Sequence, residues 1–334
     1  MLIGFYRKSY LFQYVFLVLI TGILWISTFL VQGGQIPGTD PLLQPAYALI
    51  LKIIGYNDFI GKIIALALVI TQAFLFNQIL IQHDLVPKNT LLPALVFLIL
   101  ISHSEQLLHL GPALISTFIL LFVLHLLFQV YTEEEAYSQI FNAGFLVAIS
   151  SFIYYPSVFF ILFIWLTFIV FRLYKWREWL IPLIGAGIPY IFLLTYYFWT
   201  DSLIPALEAY LNYFGSLFPP RFSFKLELMD YIISGMIAFL FLWSLLRTAT
   251  EIQEKNIGVR KRFWSVFWFF FIAMIIFVFE DLQDMSHLVL LTIPLTIYIA
   301  RGLSQVKKKK WVEVVFWILL LLIAYNNLKG VLFI

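Results

Sequence analysis

Cysteine is absent from this 334-residue chain, which excludes disulfides, thiolate metal sites and cysteine nucleophiles. Charge is also scarce. Only 12% of residues are charged, against roughly a quarter in soluble globular domains. There is no glycine-rich nucleotide loop, no exact internal repeat and no stretch that reads as a separate soluble enzyme domain. What the chain has instead is apolar: 63% of it is hydrophobic and 19% aromatic. That excess must face lipid, and the abundance of phenylalanine, tyrosine and tryptophan suits lipid-facing and interfacial positions. The sequence pI near 8.8 therefore reports loop chemistry and not affinity for nucleic acid.

Apolar runs long enough to cross a hydrocarbon core of about 30 Å fall at 10–31, 60–81, 90–103, 112–131, 138–155, 157–174, 179–198, 229–246, 263–279, 287–303 and 311–326. The first follows Arg7 and Lys8 and has no small-residue cleavage site at its end. It reads as an uncleaved signal anchor rather than a signal peptide. The expected fold is all-α: one polytopic transmembrane bundle over residues 1–334, about 11 spans, N-terminus inside and C-terminus outside. The positive-inside rule supports that orientation. It places 16 of the 21 basic residues inside, among them Arg7, Lys88, Arg172, Arg247, Arg262 and Arg301.

Residues 41–54 are too short to span, and Lys52 interrupts them. Leu42, Leu43, Ala46, Leu49, Ile50, Ile53 and Ile54 recur at helical spacing, as a helix lying in the outer interface requires. The outer loops expected to be substantial are 32–59, which holds this helix, and 199–228.

Ionisable groups near membrane depth are functional candidates by default, and here they gather on the outer side. Asp40, between Gly38-Thr39 and Pro41, suits capping of the interfacial helix and could also serve as a base. His103, Glu105 and His109 cluster between spans 3 and 4. Two histidines and a carboxylate could ligate a divalent metal, although their spacing matches no closed metal motif. Arg221 and Lys225 follow Pro219-Pro220, and an arginine fork beside a lysine suits a phosphate or pyrophosphate. Lipid-headgroup contact explains them equally well. His287 opens span 10, where a structural hydrogen bond is the ordinary role for a histidine. Glu280, Asp281 and Asp284 read as a solvated turn, and Glu133-Glu134-Glu135 as a solvated helix end.

The arrangement resembles the GT-C class of integral-membrane glycosyltransferases. The likeness rests on a signal-anchor span followed by Gly38-Thr39-Asp40-Pro41 and an interfacial helix, on Ser102-His103-Ser104-Glu105 between spans 3 and 4, and on the late span from His287 through Pro294 and Tyr298 to Arg301-Gly302. The middle, Asn142-Ala-Gly144 through Tyr154-Tyr155-Pro156, is similar to the paired helices of that class. The resemblance implies a multi-pass protein of the bacterial inner membrane that takes a sugar from a polyprenyl-phosphate carrier at the outer face. Asp40 would be its general base, His103 and Glu105 would orient the acceptor or a divalent metal, and Arg221, Lys225 and His287 would contact the donor. Asp40 stands alone where many members carry two acids, and the large outer domain of some members is missing, so an inactive relative shares the layout. The chain is also similar to uncharacterised bacterial polytopic families. Two other readings fit: a transporter or flippase, for which Pro182, Gly185, Gly187 and Pro189 would break span 7, and a non-catalytic subunit of an envelope assembly.

Overall fold

The computed structural model describes residues 2–8, 10–30, 40–133, 135–216, 227–280, 285–306 and 310–332. Among them there is no strand. The helices are α1 (Leu2–Tyr6), α2 (Leu11–Leu30), α3 (Pro45–Ile54), α4 (Asp58–Gln82), α5 (Leu92–Ile101), α6 (Pro112–Val130) and α7 (Tyr137–Ile153). They continue as α8 (Phe160–Phe171), α9 (Trp176–Trp199), α10 (Leu203–Ser216), α11 (Leu228–Glu251), α12 (Ile257–Phe279), α13 (Thr292–Gln305) and α14 (Lys310–Leu332). Short 3-10 turns precede α8 (Tyr155–Phe159) and α13 (Met285–Leu291), and another, Glu105–Leu107, lies between α5 and α6. Eight helices are long and apolar enough to cross a membrane. α5, α7 and α8 are shorter apolar helices.

The two ends are told apart by what closes them. At the basic end, cations reach across to the C-terminal carbonyls of neighbouring helices, which have no partner within their own helix. Arg7 Nη2 donates to the carbonyls of Leu303 and Val306 at 2.7 and 2.8 Å, and Arg247 Nη2 to that of Gln305 at 2.9 Å. Arg262 bridges the carbonyls of His83 and Phe128, Arg301 takes that of Leu85, and Lys261 that of Phe171. The ends of α4, α6, α8 and α13 are thus each met by a cation. Charged donors to carbonyls contribute about 1.5–3 kcal/mol each, and the helix dipole adds to the attraction.

At the far end several ties between helices are neutral. Trp25 Nε1 donates to Ser102 Oγ at 3.1 Å, and Asn327 Nδ2 donates to the carbonyls of Leu24 and Ser102. α5 links the two ends: Leu91, just before it, donates to the carbonyl of Tyr6, and Ser102 closes it on Trp25. All ten of its residues are buried, and it is the innermost helix. The expected span 90–103 is therefore a ten-residue helix, and Ser102 lies level with Trp25, about 8 Å short of the far terminus of α2 at 1.5 Å per residue.

Three further expectations change. The interfacial helix is Pro45–Ile54 rather than 41–54, and it stops at Gly55, whose φ of +69° favours glycine. The loop expected over 199–228 contains the 14-residue α10. Span 7 is unbroken, since α9 continues through Pro182 and Pro189. Its Gly185 serves packing instead. A Cβ on Gly144 of α7 would stand 2.1 Å from the Pro182 carbonyl oxygen, and one on Gly185 of α9 2.3 Å from that of Phe141. The two backbones touch there, as small residues allow in membrane bundles. Gly144→Val and Gly185→Val should each cost about 3 kcal/mol or more, read as a lowered melting temperature in detergent. Gly187→Ala, whose Cβ meets nothing within 4 Å, should melt like the parent.

Candidate functional site

At the far end the structure collects the outer groups into one neighbourhood without making them a single cluster. Asp40 heads a turn ahead of α3 rather than capping α3 itself. Its Oδ1 accepts from Leu42 N at 2.9 Å, and its carbonyl accepts from Leu43 N and Gln44 N. The N-cap of α3 is Gln44. Asp40 remains exposed and within electrostatic reach of Tyr197, whose hydroxyl donates to the Leu42 carbonyl at 2.8 Å. Tyr47 anchors α3 by donating to the carbonyl of Leu110 at 2.8 Å, so α3 sits over the segment that joins α5 to α6.

His103 lies in that segment, fully buried. Its Nδ1 is 2.6 Å from the Leu100 carbonyl, so in the neutral ring Nδ1 carries the proton and Nε2 keeps the lone pair. Burial pushes the imidazole below its usual range, while the Leu100 carbonyl and Asp230 pull the other way. Asp230, at the start of α11, accepts from Asn326 Nδ2 at 3.0 Å, and Lys329 lies 2.5 Å from Glu227. The Glu105 side chain is outside the described residues, as are Arg221, Lys225, Asp281 and Asp284. Among the described side chains, which leave out that of Glu105, no three His, Asp or Glu converge to hold an ion, and Nδ1 of His103 is committed to a carbonyl.

His287 is on the 3-10 turn before α13, which packs against the Glu105–Leu107 turn. The segments carrying His103 and His287 therefore meet, whereas Asp40 is tied to Tyr197. His287 Nδ1 shares a 2.5 Å hydrogen bond with the Tyr154 hydroxyl, and both side chains are buried. Beside them stands an aromatic group. Tyr155 packs on Tyr210, Tyr213 and Phe214 of α10, and Tyr213 donates to Glu280. Burial and the Glu280 carboxylate push the Tyr213 phenol up, so it stays a neutral donor.

Sequence reasoning passed over Tyr154, Asp230, Tyr213 and the Asn326–Asn327 pair. The asparagines were the accessible signal, being two adjacent amides at the edge of an apolar span, where a polar side chain must find a partner. The tyrosines gave none, because in a chain this aromatic a phenol that donates a hydrogen bond looks like one that only packs.

Residues 46–331 match a protein-family description. The chain belongs to DUF6427, a family of unknown function. The matched stretch runs from α3 into α14, so it takes in His103, Glu105, Arg221, Lys225 and His287 and leaves Asp40 outside. No curated protein and no solved structure matches the chain.

A pair of histidines lies at the opposite end. His83 Nε2 is 3.1 Å from His125 Nδ1, and His125 Nε2 is 3.1 Å from Gln129. Burial, with Arg262 and His125 adding to it, pushes His83 down from 6.5 to about 3. The folded state keeps this ring neutral, while the unfolded chain takes up a proton near pH 6.5, so His83 contributes stability that is present above that pH and lost as pH falls toward about 3. Detergent melts should fall across this acidic window, and His83→Gln should flatten the fall. Superimposable profiles for parent and variant would show that His83 is not held neutral.

Proposed function

We propose that this DUF6427 protein is an eleven-span protein of the bacterial inner membrane with a GT-C-like layout, its N-terminus and basic end in the cytoplasm, acting on a polyprenyl-phosphate-linked sugar at the outer face. The observation that carries the reading is the convergence, at the end of the bundle away from the cations, of α3, the His103 segment, the His287 turn and α10. The first three are segments on which the sequence resemblance rests.

In this reading the acceptor hydroxyl attacks the anomeric carbon as the bond from that carbon to the phosphate oxygen breaks. Polyprenyl phosphate leaves, and Asp40, exposed at the surface, takes the hydroxyl proton. Arg221 and Lys225, on the stretch between α10 and α11, neutralise the phosphate where charge grows. His103 is a positioning residue, since it is buried on Leu100. Tyr154 holds the ring of His287 in place, so His287 acts toward the donor as a positioning residue. The unbroken α9 removes the feature that favoured a transporter.

Purified in detergent and extracted for lipid, the parent protein should carry polyprenyl-phosphate species, and Arg221→Ala should lose most of them. Asp40→Asn should keep the lipid and lower sugar transfer by 100-fold or more, at the low end of what a positioned base contributes, about 10²–10⁴. A parent protein with no such lipid would overturn the reading. An Asp40→Asn variant with full turnover would remove Asp40 from it, and lipid retained without turnover in the parent would identify an inactive relative.

A further inference from the structure

α10 has three faces where a helix inside the bundle or out in solvent would need two. Leu203, Ala206, Ala209, Tyr210 and Tyr213 pack inward, and Tyr210 and Tyr213 meet Tyr155. A second sector carries Ile204, Leu207 and Leu211, with Ile204 69% and Leu211 70% exposed, and at its edge Phe214, which is 44% exposed and also packs on Tyr155. The third carries Glu208, Asn212, Gly215 and Ser216, also exposed. At about 100° per residue the apolar and polar sectors lie side by side, both turned away from the protein. A helix immersed in water has no use for the second sector, and one immersed in hydrocarbon cannot hide the third.

The surroundings point the same way. α10 begins four residues after α9 ends, following a sharp turn in which Asp201 takes a φ of +52°. The last residues of α9, Phe198 and Trp199, are 71% and 85% exposed, so the exposed apolar surface of a spanning helix continues onto α10. Fourteen residues rise about 21 Å, too short to cross the bilayer.

We propose that α10 lies in the plane of the membrane at its far surface, with Ile204, Leu207, Leu211 and Phe214 among the lipid acyl chains and Glu208 and Asn212 in water. The partner is the bilayer itself, and the chemistry narrows which lipid features matter. Residues 203–216 contain no lysine or arginine and one acid, Glu208. In-plane helices draw on buried apolar area and on attraction between basic residues and anionic lipid, and here only the first is available. Insertion of α10 is therefore indifferent to anionic lipid. This inference stands apart from the transferase reading, because it concerns where α10 sits and not what the site does.

The absence of native cysteine allows a direct test. Ile204→Cys, Glu208→Cys, Leu211→Cys and Asn212→Cys, each spin-labelled on the full chain in lipid vesicles, are compared by collision with oxygen and with a water-soluble nickel chelate. All four positions are exposed, so the labels leave the packing intact. Labels at 204 and 211 should collide with oxygen and be shielded from nickel, those at 208 and 212 should do the reverse, and the pattern should be the same in phosphatidylcholine vesicles with or without phosphatidylglycerol. Nickel access at all four positions would put the helix in water and overturn the proposal. Shielding of 204 and 211 from both reagents would do so by revealing a protein cover, and a pattern that needs phosphatidylglycerol would overturn the stated lipid chemistry.

Discussion

A helix that ends at a membrane surface leaves its last carbonyls without partners, and a many-helix bundle repeats that problem at every turn. In this protein the basic end meets it with side chains borrowed from elsewhere in the sequence: Arg7 for α13, Arg262 for α4 and α6, and Lys261 for α8. Each cation closes a helix remote in sequence and so fixes how the helices sit against one another. The same residues carry the charge bias that orients a membrane protein. One set of groups therefore closes the basic end and carries the charge bias on which the proposed orientation rests.

The far end is built from a different mixture. Its ties include phenols, amides and one indole, Asp40, Asp230 and Glu280 are each hydrogen-bonded to a neutral neighbour, and Glu227 and Asp58 pair with Lys329 and Lys62. Asp40 remains open to solvent while His103 and the Tyr154–His287 pair are sealed in, so the surface offers an exposed acid over a rigid, neutral floor. The shortness of α5 sets that floor about 8 Å below the end of α2. α3 and α10 lie at this same end of the bundle.

Much of the fold was legible because hydrophobic length is a strong signal. Every apolar run in the sequence corresponds to a helix, and α3 announced itself by its spacing. α10 was missed because its apolar residues are divided between an inward face and an outward one, which leaves no single stripe to read. The break expected from Pro182 and Pro189 failed because a long membrane helix whose neighbours touch its backbone tolerates proline. Of the site, His103 and His287 were read as separate candidates, and the folded chain brings the segments that carry them into contact. Their partners were not legible, since Tyr154 and His287 are 133 residues apart and only the folded chain brings them within a hydrogen bond.

The account rests most heavily on the basic end facing the cytoplasm and the Asp40 end facing out. Lys88→Cys, exposed between α4 and α5 at the basic end, and Asn212→Cys, exposed on α10, can each be placed in the cysteine-free chain and treated in intact cells stripped of their outer barrier with a maleimide that does not cross membranes. Labelling of Asn212→Cys at once, and of Lys88→Cys only after the membrane is opened, is the predicted result. Immediate labelling of Lys88→Cys with protection of Asn212→Cys would reverse the orientation and contradict the account.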